Sequence, residues 1–269
     1  MSPQIRSWGD FSTVWEEFDK DGQFLCTKCA LYGKDDHAYL GRLGAWKKDI
    51  RPEQFETALQ QIPDADIYPE LSPEGVLTVA PENLAADVFI KRPSLTDYEF
   101  FKGETGSGLS QLRDMLLDEA KALEAISQHQ VLHPNIVRYH GCRVQRGRVT
   151  GIVLDRIDGY DLWKLLKYQQ GGGVDKEPFM KALASAVEHL HNIGFSHNDL
   201  NPRNVMVDKN GRPVLVDFGS CRRTGQRMGA SGGSTGWKDE KDQYLTSENH
   251  HDTFSLEKIN QWLNNPTFG

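Results

Sequence analysis

Apolar positions recur at helical spacing in several stretches of the chain. Leu112, Leu116, Ala120, Leu123 and Ile126 predict a helix from about Leu109 to Gln128. Met180, Leu183, Val187 and Leu190 predict a buried-face helix from Glu177 to Ile193, ended by Gly194. A last helix is expected around Phe254–Leu263, with Phe254, Ile259 and Leu263 inward, and a short one over Asp161–Tyr168, closed by Gly171-Gly172-Gly173. Shorter apolar runs predict strands at Gly75–Val79, Asp87–Lys91, Asn135–Tyr139 and Arg148–Leu154. Val205–Val207 and Val214–Val216 flank Lys209-Asn210-Gly211, a hairpin signal.

Residues 1–68 differ in texture, with short aromatic-rich segments alternating with turns. Asp19-Lys20-Asp21-Gly22 reads as a turn, and Arg51-Pro52-Glu53 starts a predicted helix carrying Phe55, Leu59 and Ile62 on one face. Pro63, Pro69 and Pro73 then interrupt the chain, which puts a boundary between 63 and 73. Strands first and helices later predict an α+β protein with two lobes around a cleft.

Composition narrows the function classes. The chain has 269 residues, 38% apolar and 26% charged, as in an ordinary globular protein. A net charge of −7 argues against nucleic acid as a partner, and Cys221-Arg222-Arg223 with Arg227 is too short a basic stretch to reverse that. Cys26, Cys29, Cys142 and Cys221 are too few for a disulfide scaffold. The N-terminus lacks an apolar signal core, and no apolar run reaches the roughly 18 residues of a membrane span. A reducing intracellular compartment, the cytoplasm first, is the expectation, with no membrane partner.

Chemistry concentrates in His197-Asn198-Asp199-Leu200-Asn201-Pro202-Arg203-Asn204, between the buried helix and the hairpin, and in Val216-Asp217-Phe218-Gly219 beyond it. A loop carboxylate, a carboxamide five positions on and a second carboxylate after the hairpin can face one space. Phosphoryl transfer needs such a set: a carboxylate to orient a hydroxyl, and hard oxygen ligands for Mg²⁺ on nucleotide phosphates.

The order H-x-D-L-x-x-x-N, hairpin, D-F-G resembles the catalytic loop and metal-binding motif of eukaryotic-type protein kinases. Val88-Phe89-Ile90-Lys91 resembles the V-A-I-K strand, His133-Pro134-Asn135-Ile136-Val137 the entry to the next strand, and Gly233-Ser234-Thr235-Gly236-Trp237 the end of an activation segment. Asp252 matches the aspartate that braces the catalytic loop. The resemblance covers about residues 75–263 and implies an abbreviated bilobal fold: an N-terminal extension over 1–68, a β-rich small lobe and hinge over 69–157, and a truncated helical lobe over 158–269.

The same resemblance implies ATP and Mg²⁺ as cofactors. Asp199 would orient the acceptor hydroxyl; Asn204 and Asp217 would hold the metal. Lys91 would steady the phosphates with a glutamate partner, Glu119 preferred to Glu124. Leu154, Asp155 and Ile157 would border the adenine at the hinge, with Met206 beneath it.

Four departures qualify this picture. No G-x-G-x-x-G precedes Lys91, and Phe89 stands where the family has alanine. Asn198 and Asn201 replace an arginine and a lysine, and H-N-D-L-N-P is similar to the loop of small-molecule kinases of the aminoglycoside and choline type. The chain stops soon after the last helix, as in short fungal kinase-like proteins. The resemblance implies a serine or threonine of a protein or peptide as acceptor first, and the truncated large lobe and Asn201 make a small hydroxyl-bearing metabolite the competitor. A non-catalytic pseudokinase is the reading from another class. His197 is expected to be structural, Cys26-Thr27-Lys28-Cys29 a reduced surface hairpin rather than a zinc site with His37, and Trp8, Phe11, Trp15 and Phe18 packing residues rather than a partner stripe.

Overall fold

The computed structural model describes residues 3–73, 75–83, 87–103, 108–129, 131–168, 173–229 and 232–268. Its contacts divide the chain into two units. The first comprises Met1–Gly75, Lys91–Leu117 and Cys142–Ile152; the second comprises Val76–Ile90, Asp118–Gly141 and Val153–Gly269.

The first unit opens with an antiparallel sheet of strands β1 (Thr13–Phe18), β2 (Phe24–Tyr32), β3 (Ala38–Leu43) and β4 (Leu59–Gln61), in sequential order. The predicted turn joins β1 to β2: Asp19 N–H donates to Gln23 O at 2.9 Å, and Gly22 takes the positive φ of +77° that suits glycine. Strand alternation sends side chains to two cores. Cys29, Leu31 and Tyr39 join Ile5, Phe11, Ile50 and Phe55, with Trp8 against them. Ala30 and Ala38 join Ile62, Ile67, Tyr68, Leu95, Tyr98 and Leu112, with Trp15 against them. Three of the four stripe aromatics therefore pack internally or beside a core, while Phe18 is exposed and meets Phe24 and Trp46.

The helix expected from Arg51 is not formed. Pro52–Phe55 make a single 3-10 turn, and Leu59 already belongs to β4. Phe55 alone is buried from the turn, and pairing of Leu59–Gln61 with Tyr39–Gly41 outcompetes a helix there. Helix α1 (Asp64–Ile67) follows, then β5 (Val88–Lys91), α2 (Leu95–Lys102) and α3 (Leu109–Ser127). Helix α2 had no counterpart in the apolar pattern; its start is marked by Ser94, whose Oγ accepts from Asp97 N–H at 3.3 Å.

Asp36 ties the first unit together. Its carboxylate is fully buried and accepts from Arg92 Nη2 at 2.5 Å, from Arg143 Nε and from Thr150 Oγ1 at 3.1 Å, while Tyr68 Oη donates to its backbone carbonyl at 2.6 Å. Neutralising a buried acceptor of charge-assisted bonds costs roughly 1.5–3 kcal/mol. Asp36→Asn is expected to lower the unfolding free energy by about 1.5–3 kcal/mol, read as a lower urea midpoint at unchanged m-value; a shift near zero would show the arginines to be solvated instead.

Strands β6 (Tyr139–Gln145) and β7 (Arg148–Asp155) are joined through Arg146 and Gly147, both at positive φ, and the strand order is β5-β7-β6. Two strand expectations fail nearby. Gly75–Val79 is not a regular strand: Val76 and Val79 are exposed, and Thr78 is held by Glu124, whose carboxylate accepts from its N–H at 2.8 Å and its Oγ1 at 2.7 Å. This segment lies so close to β6 that a Cβ on Gly141 would come within 2.8 Å of Thr78 O. Asn135–Tyr139 is likewise not a strand; Ile136 makes one parallel bridge to Leu215, and the ladder begins only at Tyr139.

The second unit continues with β8 (Gly159–Asp161), α4 (Leu162–Lys167), α5 (Lys176–Asn192), β9 (Phe195–Ser196), β10 (Val205–Asp208), β11 (Pro213–Leu215), β12 (Arg222–Arg223) and α6 (Asn249–Trp262). Asp161 caps α4, accepting from Lys164 N–H at 2.8 Å. Gly171 and Gly172, expected to close that helix, lie outside the described residues. Phe179, Leu183, Val187 and Leu190 bury the face of α5. Helix α6 differs from expectation: Phe254 is 36% exposed, and the buried face is His251, Asp252, Ser255 and Ile259. Polar partners on neighbouring loops, rather than apolar spacing, orient it. The chain is thus a mixed α+β fold. Among the described residues no helix is long and apolar enough to cross a membrane.

Candidate active site

Strand β9 delivers the chain from α5 into the loop 197–204. Asp252, fully buried in the first turn of α6, accepts from His197 N–H and Asn198 N–H at 2.7 Å each and lies 2.9 Å from His191 Nε2. Its two oxygens fix the loop's first peptides. His197 is buried: its Nδ1 accepts from Asp199 N–H at 3.4 Å, its Nε2 donates to Val216 O at 3.1 Å, and its ring lies edge-on to Phe218. With both ring nitrogens bonded to backbone, it is a strut and not a base.

Asn198 has φ +63°, a conformation asparagine tolerates better than most residues. Its side chain is buried and fully engaged. Nδ2 donates toward Ser196 O (2.9 Å), Ser220 O (3.1 Å) and Ser247 Oγ (2.9 Å), and Oδ1 accepts from His251 Nδ1 at 2.9 Å. Reading it only as a lost arginine missed this crossroads.

The half-buried carboxylate of Asp199 comes next. Oδ2 accepts from Asn204 Nδ2 at 3.0 Å; Oδ1 accepts from Ser234 N–H at 2.7 Å and from Asn201 Nδ2 at 3.3 Å. Asn201 also donates to Ser234 Oγ at 3.3 Å and accepts from Arg203 N–H at 2.9 Å, so it closes the loop internally. Ser234, quoted from sequence only as part of a segment end, touches the carboxylate itself.

The hairpin sets the second half of the site. Val205 pairs Leu215 and Met206 pairs Val214, and Val216 N–H donates to Asn204 O at 3.0 Å. That register puts Asp217 one residue beyond the partner of Asn204. A carboxylate only accepts, so the Asn204 amide turns its nitrogen to Asp199 and its oxygen away from it. Asp217, at φ +62°, is exposed, and Gly219 N–H donates to its Oδ1 at 3.3 Å. Two hard oxygen donors at one end of a hairpin suit Mg²⁺, which takes few protein ligands.

Glu119 on α3 is buried and accepts from Phe218 N–H at 3.1 Å. Glu124 accepts instead from Thr78 and from Tyr139 Oη at 3.1 Å. Phe218 is fully buried, and burial beside Asp252 pushes the Cys221 thiol above its ordinary range. Lys91 is the half-buried last residue of β5. Leu154 is buried at the end of β7; Asp155 lies 2.6 Å from His140 Nε2 and donates its N–H to Arg138 O at 3.0 Å. Ile157 follows the strand, and Met206 is half-buried on β10 opposite Asp161. Gly159 lets β8 reach β10, since a Cβ there would fall 1.8 Å from Val207 O.

Cys26 and Cys29 do not form a metal site with His37. Both are buried, not on the surface as expected; three positions apart on a strand they face opposite ways. Cys26 Sγ donates to Glu17 at 3.3 Å, and burial pushes the Cys29 thiol up to about 12.

Residues 108–238 match the model of the protein kinase domain. The serine/threonine-protein kinase/endoribonuclease IRE1 of Hypocrea jecorina is 29% identical over 186 residues, 64% of this chain and 13% of that protein. The serine/threonine-protein kinase CHK1 of Saccharomyces cerevisiae is 37% identical over 91 residues, 32% of this chain and 17% of its own length. The MAP kinase kinase kinase win1 of Schizosaccharomyces pombe is 33% identical over 97 residues, 35% of this chain and 6% of its own. The chain thus spans less than a fifth of each of these curated relatives. The matched region contains the loop 197–204 and Asp217; Lys91 and Asp252 lie outside it.

Proposed function

We propose, for a chain that belongs to the eukaryotic protein-kinase-like superfamily, an ATP- and Mg²⁺-dependent phosphotransferase acting on a hydroxyl, a serine or threonine of a protein or peptide first. The observation that carries this reading is the pair of bonds from Asn204 Nδ2 to Asp199 O (2.9 Å) and Oδ2 (3.0 Å). They join the carboxylate that would orient the hydroxyl to a residue whose remaining oxygen would be free to take a cation. Mg²⁺, when bound, would offset charge on the nucleotide phosphates. Asp199 would hold the acceptor oxygen in line and take its proton, and Asn204 with Asp217 would fix the metal. Lys91 is the lysine proposed to steady the α- and β-phosphates, and Leu154, Asp155, Ile157 and Met206 the residues around the base. Glu119, through its bond to Phe218 N–H, would act as a positioning residue for Asp217.

A second reading, nucleotide binding without turnover, draws on Ser234 N–H, which at 2.7 Å occupies the Asp199 oxygen a substrate hydroxyl would use. Binding is tested first. ATP with Mg²⁺ at a hundredfold excess over its Kd is expected to stabilise the wild type by about 2.7 kcal/mol. Asp217→Ala is expected to lose most of that shift, measured from the variant's own stability without nucleotide and metal. No shift in the wild type would remove both readings.

A further inference from the structure

His250 and His251 open helix α6, and adjacent helical positions do not ordinarily aim at one point. Here both do. His250 Nε2 lies 2.6 Å and His251 Nε2 3.2 Å from the same atom, Asp242 Oδ2. The other Asp242 oxygen accepts from Tyr244 N–H at 3.0 Å, which fixes the carboxylate and leaves Oδ2 to the histidines.

The tautomer of His251 follows from its neighbours. Asn198 turns its nitrogen to three acceptors, Ser196 O, Ser220 O and Ser247 Oγ, so its oxygen faces His251. Nδ1 of His251 must then carry a hydrogen to donate at 2.9 Å. In the neutral ring Nε2 carries a lone pair, aimed at a carboxylate oxygen. Two lone pairs facing each other repel unless a cation lies between them. A second proton or a metal ion would serve, and the side chain, 2% exposed and stacked on Tyr244 with centroids 3.8 Å apart, is held in place for either.

A divalent metal resolves the conflict. One nitrogen of a metal-binding histidine usually donates to a fixed carbonyl or carboxylate while the other ligates, which is the arrangement of His251. The donor atoms of Asp242, His250 and His251 lie within 4.8 Å of one another, and no other such cluster occurs among the described residues. Two imidazoles and a carboxylate favour Zn²⁺ over Mg²⁺, and the exposure of His250 at 62% leaves room for a water as fourth ligand. We infer that Asp242, His250 and His251 form a binding site for Zn²⁺ or a similar transition-metal ion, separate from Asn204 and Asp217. The ion would fix the His251 ring on Asn198, the residue before Asp199. This inference does not depend on phosphotransfer.

The test uses the full chain, stripped with EDTA and titrated with Co²⁺, whose visible bands report coordination. One equivalent is expected to bind with nitrogen–oxygen bands, to be displaced by Zn²⁺, and to be retained in Asp217→Ala. In His250→Ala and Asp242→Asn the affinity is expected to fall about 100-fold or more, beyond the roughly tenfold to hundredfold that supporting partners cost. His250 is exposed, so its variant should melt with the wild type in EDTA. Zn²⁺ should then raise the Tm of the wild type and leave that of His250→Ala unmoved. Absence of stoichiometric binding, thiolate bands from the cysteines, or binding undiminished in both variants would overturn the inference.

Discussion

Asp199→Asn is expected to reduce phosphotransfer by about 10²–10⁴-fold, the range for removing a general acid–base group. The asparagine oxygen can still accept from Ser234 N–H, but its amide nitrogen would face the Asn204 nitrogen across 3.0 Å. That opposition is relieved by turning the Asn204 amide, which withdraws its oxygen from the metal position. The variant should therefore combine a large fall in kcat with a smaller loss of Mg²⁺-dependent nucleotide stabilisation. Turnover within tenfold of the wild type would remove Asp199 from the proposed chemistry.

The second large effect concerns stability. Asp252 supplies the acceptor for two buried peptide N–H groups and faces His191. Asp252→Ala leaves those donors without a partner. Each buried orphan costs about 1–3 kcal/mol, and stranding several around one deleted charge brings the total to about 3–5 kcal/mol. Asp252→Asn keeps one acceptor oxygen and should lose about half as much. Urea unfolding of the three proteins checks the order; equal midpoints for the wild type and Asp252→Ala would mean that α6 does not hold the loop.

Both predictions rest on elements that differ in how far the sequence reveals them. Helices α3 and α5 are long, and their buried positions repeat with the helical period, so Leu112–Ile126 and Leu183–Leu190 were legible. The β10–β11 hairpin was legible because Asn210-Gly211 is a local turn signal. Where tertiary pairing decides, the pattern misleads: Phe55, Leu59 and Ile62 have helical spacing, yet β3 recruits Leu59 into a sheet. Val76 and Val79 look like strand residues, yet a side-chain clamp from Glu124 holds their segment. Phe254 looks like a core residue, yet α6 turns His251 and Asp252 inward because the loop 197–204 needs their acceptors and donors.

The candidate site divides the same way. Asp199, Asn204 and Asp217 stand out because they share one loop–hairpin–loop unit with fixed spacing. Ser234 and the Asn198 crossroads were hidden, since apart from Ser196 their partners are 22 to 53 positions away in the chain. The Asp242–His250–His251 cluster left one faint local trace, two adjacent histidines at a helix start, and only the fold brings the carboxylate to them.

The most direct measurement is transfer of the γ-phosphate from labelled ATP by the wild-type chain with Mg²⁺, offered serine- and threonine-containing protein beside a panel of small hydroxyl compounds. Labelled phosphoprotein that disappears with EDTA and falls by about 10²-fold or more in Asp199→Asn is the predicted result. ATP-stabilised protein that transfers no phosphate to any acceptor would contradict it and leave a nucleotide-binding domain without turnover.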